Sequence, residues 1–137
     1  MIQSFPMEPS DGPAAEIADY RHQAREFLLK SRQYLAEDNL HQASEKGWGA
    51  AAWMAKAAAE ARGWQYKKHE QFNVALNNAR LLTGDERLPG LRGIANDLHN
   101  NFYQRRLLLN ADAIAVDLDH IATLLDILEP LTQTSTT

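Results

Sequence analysis

Apolar residues recur at steps of three and four along most of this chain, and no stretch sustains the every-second-residue alternation of a strand. That periodicity removes sheet-based folds and leaves amphipathic helices that must bury their stripes against one another. Short turn signals separate the periodic segments, and antiparallel neighbours are the ordinary outcome of short links. The expected fold is all-α, an up-and-down antiparallel bundle of four to five helices. A chain of 137 residues suits one such domain.

The segments can be placed in order. Tyr20, Ala24, Phe27, Leu28, Ser31 and Leu35 share a face and predict a helix over 15–36, with Arg21, Arg25, Lys30 and Arg32 as solvated cations off that face. Asn39 followed by Gln42 has the form of a capping box, opening a helix over about 40–62. That helix is rich in alanine and tolerates Gly47 and Gly49, each costing ~1 kcal/mol against alanine, which points to close helix crossing. Gly63 is its stop signal. A shorter helix over about 66–82 buries Phe72, Ala75, Leu76 and Ala79, with a basic Lys67-Lys68-His69 cluster at its start. Pro89 opens the fourth helix, whose seam is Leu91, Ile94, Ala95, Leu98 and Phe102. The last, about 111–128, carries Ile114, Leu118, Ile121, Leu125 and Leu128, with Asp112, Asp117, Asp119 and Asp126 opposite and Pro130 beyond. Residues 1–14, with Pro6, Pro9, Gly12 and Pro13, read as an extended or disordered arm, 15–130 as the bundle, and 131–137 as a disordered tail.

A formal net charge of −4 leaves no global basic field to gather nucleic acid, so any such role needs a local patch. The absence of cysteine removes disulfides, thiolate nucleophiles and thiolate zinc sites. The amino-terminal residues lack a basic region followed by an apolar run, and no apolar run nears the roughly 20 residues of a membrane helix. The expected location is the cytoplasm. His22, His41 and His120 show no ligand-like pairing, and neither a metal nor a cofactor is expected.

The best site candidate runs beside the fourth seam: Arg92, Asn96, His99, Tyr103 and Arg106, at steps of four, three, four and three. An imidazole can move a proton near neutrality, and a guanidinium can hold a phosphate through two parallel hydrogen bonds. Together they suit RNA cleavage without a metal. His99 would deprotonate a ribose 2′-hydroxyl and Arg92 would stabilise charge on phosphorus. Asn96 would orient a phosphate or the imidazole, and Tyr103 would stack on a base. A two-fold dimer would join two stripes in one cleft. Gly93, beside Arg92, leaves room for another backbone or a ligand. Arginine and histidine seven apart also occur at Arg62 and His69, so the spacing alone is weak. A buried polar network supporting the bundle is the alternative reading.

The pattern L-x-x-S-R-x-Y-L-x-E-D-N-L-x-x-A-S-E-K-x-W-x-A-A-A, from Leu28 to Ala52, resembles the opening of HEPN domains (higher eukaryotes and prokaryotes nucleotide-binding). The later L-H-x-N-F-Y, from Leu98 to Tyr103, resembles their PaREP branch. The resemblance covers about residues 20–130. It implies a helical bundle, usually dimeric. It implies either a metal-independent ribonuclease of toxin–antitoxin or defence systems, or a non-catalytic companion of a nucleotidyltransferase. The family's catalytic arginine and histidine, separated by four to six residues, fall on Arg92 and His99. The residue after the arginine, commonly polar in active members, is Gly93 here. Two functions therefore stand: a ribonuclease or RNA- or nucleotide-binding domain using Arg92 and His99 with Asn96, Tyr103 and Arg106 in support, or an interaction module docking a partner protein.

Overall fold

Pro13 sets where the first helix begins. Its fixed φ suits an opening turn and it has no N–H to leave unpaired there, so α1 spans Pro13–Ala36 and starts two residues ahead of the sequence expectation. The computed structural model describes residues 12–68, 70–103 and 109–134, apart from the side chains of Phe102 and Tyr103. The expected arm over residues 1–11 lies outside that set.

The second helix, α2, spans Leu40–Arg62. The Asn39 side chain caps it by accepting from the Gln42 N–H at 3.3 Å. Only this half of the expected capping box forms, because the Asn39 N–H goes to the Tyr34 carbonyl at 2.9 Å. Gly63 ends the helix in the left-handed region at φ 76°, and the Trp64 N–H returns to the Ala59 carbonyl at 2.8 Å. The third helix, α3, spans Glu70–Thr83 and starts later than its apolar period suggests. The reason is local: the backbone N–H groups of Lys67 and Lys68 both donate to Gln71 Oε1, the second at 3.0 Å, so residues ahead of Glu70 form the cap and link. The fourth, α4, spans Leu88–Tyr103, and the fifth, α5, spans Ala111–Leu128. Asn110 caps α5 by accepting from the Ala113 N–H at 2.8 Å. A 3₁₀ turn, Glu129–Thr132, follows. Among the described residues there is no strand, and no helix is long and apolar enough to cross a membrane.

Side-chain pairings give the directions. Arg32 meets Asp119 and Arg25 meets Asp126, so numbering falls along α1 as it rises along α5. Ser31 meets Ala43 and Tyr20 meets Trp53, which makes α1 and α2 antiparallel. Asn101 meets Ser44 while Gly47 lies against Leu98, which makes α2 and α4 antiparallel. These four helices form the up-and-down bundle. The extra helix α3 is different. Phe72 packs on Trp48, in mid-α2, while Leu81 and Leu82 share a groove with Arg62 and Trp64 at its end. Thus α3 runs alongside α2 in the same direction, and the link after Gly63 doubles back to allow it.

The crossings are close where the glycines sit. A Cβ on Gly47 would come 2.7 Å from Leu118 Cδ2, and one on Gly49 would come 2.5 Å from the Phe27 ring. Ile114, Leu118, Ile121, Leu124, Leu125 and Leu128 of α5 are all fully buried, each contributing about 1.5–3 kcal/mol. Two expectations change. The cations of α1 are not simply solvated: Arg25 reaches Asp126 at 3.0 Å and Glu129 at 2.6 Å, and Arg32 reaches Asp119 at 3.1 Å. Being exposed, such pairs add little energy but fix register. The tail also begins later than 131. Leu131 and Thr132 are buried, with the Leu131 carbonyl accepting from Arg62 Nε at 3.1 Å and Thr132 Oγ1 from Arg21 at 3.2 Å.

Candidate functional site

Helix α4 faces two neighbours, and its polar stripe is divided between them. Asn96 donates to Asn73 Oδ1 of α3 at 2.9 Å. His99 turns toward α2 and stacks on Trp48, with ring centroids 4.5 Å apart and planes tilted by 34°, and its Nδ1 is buried. Arg92, half-buried, makes no hydrogen bond or ion pair with any described residue. Tyr103 closes α4 but its side chain lies outside the described residues, as does all of Arg106.

Across from this stripe stands its counterpart on α3: Asn73, Asn77 and Arg80, again at steps of four and three. Since Asn73 pairs with Asn96 while Arg80 and Arg92 share a pocket, the two stripes run antiparallel and match turn for turn. The pocket, about 160 Å³, lies between Asn77, Arg80 and Arg92, over Leu76, Leu88 and Pro89. Arg80 is held by Asn77 Oδ1 at 3.3 Å and Glu86 at 3.4 Å. Two arginines line this pocket, and the exposed Glu86 that pairs with Arg80 is not part of its lining. A half-buried cation without a counter-ion is costly unless an anion or water serves it, and guanidinium pairs suit phosphate oxygens.

Sequence reasoning singled out Arg92, Asn96 and His99 and missed Asn73, Asn77, Arg80 and Trp48. The signal for the α3 residues was present as the same spacing, unread because nothing in one helix says which other helix faces it. Of the other arginine–histidine pair, Arg62 donates to the Leu131 carbonyl, and His69 lies outside the described residues. Among the described residues, no other element fills the opening beside Gly93: nothing outside its own helix backbone comes within 4 Å of a Cβ built there. The asparagine of L-H-x-N-F-Y has a structural task. Asn101 is fully buried, donates to Ser44 Oγ at 2.7 Å and accepts from the Leu109 N–H at 3.0 Å. It ties the end of α4 to α2 and to the approach of α5. Among the described residues no group of three or more histidine, aspartate or glutamate side chains is placed to hold a metal ion.

Fold and seam together define a small all-α bundle whose α3–α4 groove is lined by amides and arginines. The chain belongs to the Archaeal PaREP1/PaREP8 family, whose model matches residues 19–125. No curated protein and no solved structure matches it.

Proposed function

We propose that this protein is a HEPN-like, metal-independent endoribonuclease, of the toxin–antitoxin or defence kind, working in the cytoplasm. The observation that carries the reading is Arg92: a half-buried guanidinium with no partner among the described residues, beside Arg80, on the helix that also presents His99. His99 is seven positions after Arg92, about 10 Å along the axis on nearly the same face. An RNA backbone lying along α4 would bring one phosphodiester within reach of both, Arg92 from the α3–α4 pocket and His99 from its place against Trp48. Arg92, with Arg80, holds the non-bridging oxygens. His99, with Nδ1 buried, works through Nε2 and takes the proton of the ribose 2′-hydroxyl. The O2′–P bond forms, the P–O5′ bond breaks, and the proton returns to the departing 5′-oxygen directly or through water. The products are a 2′,3′-cyclic phosphate and a 5′-hydroxyl. Asn96 fixes the α3–α4 spacing, and Tyr103 and Arg106 would be further RNA contacts by their sequence spacing alone. A homodimer would pair two such grooves in one cleft.

The test is cleavage of a mixed RNA pool in EDTA by wild type, Arg92→Ala and His99→Ala. Cyclic-phosphate ends from the wild type alone support the reading; equal activity in all three overturns it. A second reading has its own observation. Val74, Leu81 and Leu82 of α3 are large apolar side chains left more than half exposed, which suits an interaction module docking a nucleotidyltransferase-like partner. A stable complex lost in Leu81→Lys, with no cleavage, would favour it.

A further inference from the structure

A second cleft runs along α2, between α1 and the link that doubles back to α3. It measures about 660 Å³ and follows one face of α2 from Glu45 to Glu60. Tyr20 of α1 and Trp53 of α2, both half-buried, stand 5.3 Å apart, centroid to centroid, with planes tilted by 31°. Tyr66 of the link adds a third ring, while Trp48 is buried beneath, against Phe72. Lys56 lies over the Tyr20 and Trp53 rings, at 4.9 and 5.6 Å from their centroids. Lys67 and Lys68 stand exposed along the link. Glu45 is turned to Lys46 at 3.6 Å, which leaves Glu60 opposite the three lysines of the cleft. Aromatic-lined grooves of this kind take proline-rich segments, because a polyproline helix is already extended and loses little entropy on docking.

The chain carries such a segment close by, outside the described residues. Pro6-Met7-Glu8-Pro9 has the P-x-x-P spacing, and Phe5 precedes it. The described chain begins at Gly12, whose backbone is extended. Tyr20 meets Trp53 and Ser31 meets Ala43, so Pro13 stands level with Glu60, at one end of the cleft. Pro13, Glu16 and Tyr20 share one face of α1 at steps of three and four, and the Tyr20 hydroxyl donates to Glu16 at 3.3 Å along it. The lengths match. Seven steps from Pro13 back to Pro6 cover ~22 Å as a polyproline helix, and the helical steps from Glu60 to Glu45 also cover ~22 Å. Pro9, at ~12 Å from Pro13, falls near the level of Tyr20, ~10 Å along α1. The charges match as well: residues 1–11 hold Glu8 and Asp11 and no lysine or arginine, against Lys56, Lys67 and Lys68. We infer that residues 5–11 dock in the cleft of their own chain as a strap, with Pro9 on Tyr20 and Trp53, Pro6 toward Glu45, and Glu8 and Asp11 beside the lysines. The inference is independent of the ribonuclease reading, since none of these residues belongs to the Arg92 pocket.

The chain has no cysteine, so Ser4→Cys in the full chain gives a single site for a nitroxide. Its broadening is read on the indole N–H resonances of the three tryptophans, assigned by single Trp→Phe variants. A docked strap puts the label toward the Glu45 end of the cleft. Trp48 and Trp53 should therefore lose intensity, while Trp64, past the opposite end, keeps its own. An undocked arm, tethered level with Glu60, would broaden Trp64 at least as much as Trp48. Pro6→Ala with Pro9→Ala, and separately Lys67→Glu with Lys68→Glu, should each restore most of the lost Trp48 signal with the helical circular dichroism unchanged. Arg92→Ala should leave the broadening as it is. A mixture of isotope-labelled wild type and unlabelled nitroxide chain should show no broadening. The inference is overturned if no indole broadens, if Trp64 broadens as much as Trp48, or if neither double variant restores the signal. Broadening of Trp48 and Trp53 in the mixture would also overturn it, by giving the cleft to the arm of a second copy.

Discussion

His99 lies against Trp48 with ring centroids 4.5 Å apart, so the histidine expected to move a proton also packs on the central helix. Its two roles separate by substitution. His99→Phe keeps a ring on Trp48 and removes the imidazole; it should fold like wild type and cleave no RNA. His99→Ala loses the stack as well, about 0.5–1.5 kcal/mol. Thermal unfolding of the two variants beside the EDTA assay separates packing from chemistry.

Arg92 has the opposite character. It has no described partner and lies beside Arg80, so Arg92→Ala should leave stability unchanged or slightly raised. Under the ribonuclease reading it should slow cleavage by about 10²–10³-fold, the usual loss on removing one charge-stabilising donor. Added sulfate should raise the melting temperature of the wild type more than that of the variant.

Asn101 should be among the most sensitive positions for folding. Asn101→Ala strands the buried Ser44 hydroxyl and the Leu109 N–H together, at a cost of about 1–3 kcal/mol. A paired Asn101→Ala with Ser44→Ala should recover part of it, as read by urea unfolding.

Gly47 tests the close crossing. Alanine there gains ~1 kcal/mol of helix propensity but drives a Cβ to 2.7 Å from Leu118 Cδ2 and 3.2 Å from Leu98 Cδ1, both side chains fully buried. Overpacking costs typically ~1–3 kcal/mol, so Gly47→Ala should be net destabilising by about 1 kcal/mol. A more stable variant would show that the α2 crossing has room to give.

Asp117 gives a pH dependence. Its carboxyl is held above the ordinary value of 3.8, first by desolvation, then by the charge of Asp97, with His120 acting in the other direction. The folded chain therefore keeps this proton in a window just above the ordinary carboxylate range, where the unfolded chain has lost it. Stability from this group falls as pH rises through that window. Asp117→Asn should remove the slope and stabilise the neutral-pH protein by less than ~1 kcal/mol after solvent screening.

The sequence by itself determined the helices, because three-and-four periodicity, Asn39, Gly63, Pro89 and the alanines of α2 act within a few residues of themselves. It also determined that Arg92, Asn96 and His99 share a line, since helical geometry alone does that. Only the tertiary structure decided what that line faces. Laying His99 on Trp48 depends on α4 packing against α2, whereas pairing Asn96 with Asn73 and gathering Arg80 beside Arg92 depend on α3 running alongside α2. That arrangement is set by a link that doubles back and by packing of Phe72 on Trp48. The burial of Leu131 and Thr132 beyond Pro130 belongs to the same class. Their partners, Arg62 and Arg21, are 69 and 111 residues away, and contacts at such separation leave no local period to read.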